Sequence, residues 1–99
     1  MKKFKWNEDK NKIIKEERGV SFEEILDSTF LGAEQHRTRK NQIVLLYEYK
    51  EYIWVVPCII EDDYIFLKTI IPSRKYTKIF KAKEVKNEKR EINKRRKRN

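Results

Sequence analysis

QIVLLYEYKEYIWVVPCIIEDDYIFLKTII, residues 42–71, is the stretch whose reading decides the fold. It is rich in β-branched and aromatic residues, and two polar breaks divide it, Lys50-Glu51 and Glu61-Asp62-Asp63. Strands are therefore expected over 42–49, 52–60 and 64–71. A break of two residues leaves room only for a hairpin, so the predicted unit is a three-stranded antiparallel meander. Pro57 has no N–H to donate, which predicts a bulge or an unpaired side near that point of the middle strand. Ile43, Leu45 and Tyr47 alternate with the equally apolar Val44 and Leu46, so both faces of the sheet need cover. The last helix or a partner can supply the second cover, and the small number of elements favours a partner.

Upstream, Asn7 suits an N-cap, Glu8 and Asp9 suit a helix start, and Gly19 suits the left-handed position after a last turn. A first helix is predicted over about 8–18, burying Ile13 and Ile14, with Phe4 and Trp6 packing just before it. Ser21-Phe22-Glu23-Glu24 is a capping box, with Val20 and Ile25 placed as its hydrophobic staple. The second helix is expected to continue through Thr29 or Phe30 to a stop at Gly32, and residues 33–42 then cross to the sheet. Downstream, Pro72-Ser73 ends the third strand and Ser73 caps a helix from Arg74. The stripe of that helix, Tyr76, Ile79 and Phe80, fades beyond Ala82. The expected fold class is α+β: two N-terminal helices, the meander, and a C-terminal helix with a basic tail. The domain is placed at 1–85 and the tail, as extended helix or disordered chain, at 86–99.

A chain of 99 residues has surface for one core, and its 38% hydrophobic content makes that core a thin one in which the 12% of aromatic residues weigh heavily. The single cysteine, Cys58, has no internal disulfide partner and is expected to pack as a small hydrophobe. The opening MKKFKWNEDK lacks the apolar core of a signal peptide, and no apolar run approaches a membrane span. A soluble cytoplasmic protein is the expectation. The formal net charge is +9, and most of it lies in residues 81–99, which hold ten Lys or Arg against three Glu. Such a tail is a handle for a polyanion or a plain solubility feature; its charge alone does not choose.

The chemistry concentrates in IIPSRKYTK, residues 70–78. No acidic residue lies between Asp63 and Glu84, whereas Lys68, Arg74, Lys75, Lys78, Lys81 and Lys83 fall there. Arg74 and Lys75 open a helix whose dipole already presents positive charge, an arrangement that an anion relieves. Ordinary solvated side chains are the alternative, at a cost of a few tenths of a kcal/mol each. Cleavage of RNA by its own 2′-hydroxyl needs a base, cations for the charged transition state and an acid for the leaving oxygen. Arg74 and Lys75 suit the cationic role with Lys68 in support. His36 suits proton transfer, although its HRTRK setting equally describes a solvated loop. Arg37, Arg39, Lys78 and Lys81 are candidate RNA contacts. Tyr76 has the spacing of a core residue. One His and one Cys do not make a zinc site, and two distant glycines do not make a phosphate loop, so no metal or cofactor is expected.

Phe4-Lys5-Trp6-Asn7-Glu8-Asp9-Lys10-Asn11-Lys12, followed by Arg18-Gly19-Val20-Ser21-Phe22-Glu23-Glu24, resembles the opening of BrnT-type toxins, close to F-x-W-D-x-x-K and then K-H-G-V-S-F-E-E. Residues 70–77 resemble the I-I-S-A-R-K-A-T motif of the same family. The similarity spans about residues 4–82. Arg18 stands where the family usually has His, Tyr76 where it has Ala, and Thr69 where a strand Arg is common. The resemblance implies a RelE-like fold and a ribonuclease toxin of a type II toxin–antitoxin pair. It also implies a cognate antitoxin of the ribbon-helix-helix DNA-binding kind, a hetero-oligomer with it, and Arg74 and Lys75 in the family's arginine-lysine positions.

Overall fold

Residues 3–82 are described by a computed structural model. Helix α1 (Glu8–Arg18) begins where the Asn7 side chain accepts from the Lys10 N–H at 3.0 Å, and ends on Gly19 at φ 77°. Ile14 is buried, but Ile13 is half exposed, against the expectation that both are buried. Neighbours on a helix point about 100° apart, and Asn11 takes the second buried place. Its amide accepts from the Phe22 N–H at 2.8 Å and donates to Glu23 at 2.6 Å, joining α1 to α2 (Phe22–Leu26).

Helix α2 carries the capping box in full, with Ser21 and Glu24 bonded reciprocally. Val20, Phe22 and Ile25 are completely buried, and Trp6 stacks on Phe22 with ring centroids 5.5 Å apart. The helix stops at Leu26, well short of Gly32. The Ser28 N–H and hydroxyl both turn back onto the Ile25 carbonyl, closing the last turn.

The next residues form strand β2 (Thr29–Gln35), which the helical spacing of Phe30 had concealed. With β1 (Lys3–Lys5), β3 (Gln42–Tyr49), β4 (Tyr52–Ile60), β5 (Tyr64–Leu67) and β6 (Ile71–Pro72), it builds a six-stranded mixed sheet in the order β1-β5-β4-β3-β2, with β6 also on β4. The expected meander is its centre, β3-β4-β5; three strands is the correction, because β2 adds antiparallel to β3 and β1 adds parallel to β5. Leu31 is an extra residue between Phe30 and Gly32 in the β2 register, and Gly32 takes φ 149° there.

Strand β4 runs unbroken past Pro57, which pairs with Val44. The irregularity falls on the neighbouring strand instead. Cys58 pairs with Leu67 and Val55 with Ile71, so Lys68-Thr69-Ile70 oppose only Val56 and Pro57. The Pro57 carbonyl accepts from the Lys68 N–H at 2.8 Å. Since N–H and C=O of one residue face the same antiparallel neighbour, the missing donor of Pro57 faces this interruption, where a ladder bond is least needed.

One face of the sheet, carrying Leu45, Tyr47, Val56, Cys58 and Leu67, packs against Ile14, Val20, Phe22 and Ile25 to make the core. The opposite face is crossed by helix α3, residues 74–82, whose first turns bond to Ile53 on β4 and Glu34 on β2. The chain is thus α+β. Among the described residues no helix is long and apolar enough to cross a membrane. The tail at 86–99 lies outside the described residues.

Candidate nucleic-acid interface

The start of α3 is set by backbone groups that the sheet leaves over. Strand β6 ends at Pro72, opposite Trp54, and Ile53 then has no strand residue beside it on that edge. Its carbonyl accepts from the Ser73 N–H at 2.9 Å, and its N–H donates to the Thr77 hydroxyl at 2.9 Å. That hydroxyl donates in turn to the Ser73 carbonyl at 2.6 Å. The Ser73 hydroxyl accepts from the Tyr76 N–H, which is the expected N-cap. Thr77 is therefore a buried polar residue with its bonds made, and α3 begins at one defined place on the β4 edge.

The extra residue ahead of β6 is also fixed. Arg18, at the end of α1, donates from Nη1 to the Ile70 carbonyl at 2.7 Å and to the Thr69 hydroxyl at 3.3 Å. Ile70 itself is fully buried. Arg18 and Thr69 are thus bonded to each other across 51 residues of chain.

Arg74 and Lys78, four residues apart on one side of α3, line a depression of about 270 Å³ together with Thr77 and Tyr52. Lys75 is exposed and is not among the residues lining it; one step along a helix turns a side chain by about 100°. Of the two cations expected at the helix start, Arg74 lines this depression, with Lys78 as its neighbour there, and Lys75 does not. Lys81 lies one turn further, lining a second depression of about 240 Å³ with Leu31, Glu48, Glu51, Ile53, Thr77 and Phe80. Two basic residues and Tyr52 border the first depression, with no carboxylate or imidazole among its lining residues.

The other candidates lie elsewhere. His36, Arg37 and Arg39 are exposed on the loop from β2 to β3. That loop meets the Ile60 end of β4, where the Ile60 N–H donates to the Asn41 carbonyl at 2.7 Å, whereas the depression meets the Tyr52 end. Eight steps of strand separate the two, roughly 26 Å at about 3.3 Å per residue. His36 Nδ1 accepts from the backbone N–H groups of Thr38 and Arg39 at 3.3 and 3.2 Å, which folds the ring onto its own loop. His36, Arg37 and Arg39 thus lie apart from the depression that Arg74 lines. Lys68 is exposed at the irregularity beside Pro57, five strand steps or roughly 17 Å from Tyr52.

Tyr76 is half-buried and its hydroxyl bonds to the Glu34 carboxylate, which raises the phenol pKa above its ordinary value. It pins α3 to β2 and does not line the Arg74 depression. Burial pushes the Cys58 thiol up to about 12, so the group stays protonated and packs as a hydrophobe. Among the described residues no three or more His, Cys, Asp or Glu converge as metal ligands.

Sequence spacing alone pointed to Arg74. The helical period could have grouped it with Lys78, but Tyr52, Thr77 as a strand-edge partner, and Arg18 carry no local signal. Tyr52 and Thr77 are brought in by the pairing of β4 with β6 and the start of α3, and Arg18 by its bonds to Thr69 and Ile70. Among known proteins, no family model, no curated protein and no solved structure matches the chain.

Proposed function

We propose that this protein is the toxin of a type II toxin–antitoxin pair, a metal-independent endoribonuclease with a RelE-like fold, held inactive in the cytoplasm by a cognate ribbon-helix-helix antitoxin. The observation that carries the reading is that Arg74 and Lys78 line one depression at the start of α3. The two stretches resembling BrnT-type toxins support it, because the second of them contains Arg74. An arginine fork and a lysine charge side by side suit a phosphodiester and the extra negative charge of its cleavage transition state. For proton transfer the lining residues offer the Tyr52 hydroxyl and the Lys78 ammonium.

A second reading, an RNA-binding protein that does not cleave, is favoured by one specific observation: the depression has no imidazole or carboxylate in its lining. The purified chain, freed of any partner, is incubated with cellular RNA with and without a chelator. Cleavage that survives chelation and falls at least about a hundredfold in Arg74→Ala is expected, the scale of losing one transition-state charge donor. Intact RNA with measurable binding selects the second reading, and neither cleavage nor binding overturns both.

A further inference from the structure

Three aromatic rings stand at the closed end of the β3–β4 hairpin, and only two are used by the core. Tyr49 and Trp54 pack against the buried cluster, and the Trp54 indole N–H donates to the Tyr49 carbonyl at 3.4 Å. Tyr52 lies outside that cluster. Its ring leans on Trp54 edge to face, with centroids 6.3 Å apart at 69°, and the half-buried residue borders the depression that Arg74 and Lys78 also line. Lys50 adds a further cation, over the Tyr49 ring at 5.3 Å. The ring sits on a paired strand and is buttressed by a held tryptophan, so ordering it on binding costs little.

An aromatic face beside two cations matches the two chemistries of one nucleotide, a flat base and the phosphate attached to it. A base inside a duplex is stacked on both sides and has no face to offer, whereas an unpaired base does. We infer that the ligand of this depression is single-stranded RNA, one base stacking on Tyr52 while its phosphate is held by Arg74 and Lys78. This deepens the RNA reading above and rests on it. It assigns Tyr52 a binding role that shielding the hairpin end does not require.

Fluorescence anisotropy of the full chain with labelled oligouridine, with its duplex, and with the matching deoxy strand tests the inference at one fixed salt concentration. Tyr52→Ala is expected to weaken single-strand binding about tenfold, within the range for one base stacked on an aromatic ring. Duplex binding should stay within twofold, and Tyr52→Phe should restore the single-strand affinity. Equal losses on single strand and duplex, or no loss, overturn the stacking role. Equal affinity for the deoxy strand overturns the assignment to RNA. Should Tyr52→Ala fail to fold, light-induced crosslinking of the unaltered chain to bromouridine-substituted oligouridine gives the same decision: an adduct on Tyr52 supports the inference, and adducts only elsewhere overturn it. If Arg74→Ala weakens binding and Tyr52→Ala does not, stacking fails while the RNA reading stands. If the unaltered chain binds no RNA, the RNA reading itself fails.

Discussion

The Thr77 hydroxyl accepts from one strand residue and donates to the residue that caps its own helix, so a single side chain joins β4 to α3. Removing it leaves the Ile53 N–H buried without a partner. Thr77→Val should therefore cost about 2 kcal/mol in a urea denaturation, the usual penalty for an orphaned buried donor, while Thr77→Ser retains most of the stability. Equal stability of the Val variant and the parent would mean that packing, and not this bond, sets the start of α3. At the same scale, what the sequence reveals about the site is uneven. Arg74 stands out because a run without acids surrounds it and a helix begins there. Tyr52 is 22 positions upstream in an ordinary strand pattern, and only the pairing of β4 with β6 brings it beside Arg74 and Lys78.

Two elements carry strain or charge that mutation can expose. The β3–β4 turn places Lys50 at φ 51° and Glu51 at φ 65°, left-handed at both central positions, where Asn-Gly is the preferred pair. Replacing Lys50-Glu51 by Asn-Gly should stabilise the protein by about 1 kcal/mol, read as a higher urea midpoint with an unchanged slope. A lower midpoint would show that the native side chains contribute more than the backbone costs.

At the start of α2, Lys15 bonds to Glu24 at 2.6 Å. That partner first, and the Ser21 backbone second, hold the Glu24 carboxyl down to about 2 from an ordinary 4.5. In the unfolded chain the group takes up its proton near 4.5, and in the folded chain only near 2. Between those values the unfolded state binds more protons, so stability present above the window is lost as pH falls through it. Glu24→Gln should flatten part of that loss when urea midpoints are compared at about pH 5 and pH 2.5; an unchanged pH slope would sink the argument.

Elements announced by local chemistry were legible in sequence: α1 by Asn7 and Gly19, α2 by its capping box, β3 and β4 by their tight turn, and the start of α3 by Ser73. Strands β1 and β2 were not. The first has three residues, too few to show a period. In the second, the extra Leu31 breaks the alternation that marks a strand, and Phe30 falls at helical spacing from α2.

For the whole molecule, the sheet places cationic groups at opposite ends. Arg37 and Arg39 occupy the loop beyond Ile60, and Arg74 and Lys78 flank Tyr52. Net charge alone would attract RNA to any basic surface, so the proposal stands or falls on location, with the Arg74–Lys78 depression as the proposed phosphate site. The direct test is single-stranded RNA affinity in two variants that lose the same charge. One is Arg74→Ala with Lys78→Ala; the other is Lys10→Ala with Lys12→Ala, two exposed residues of α1. A phosphate site at the depression predicts a loss of at least about tenfold for the first pair and less than about threefold for the second, since only the first would remove phosphate contacts. Equal losses in the two variants would contradict it.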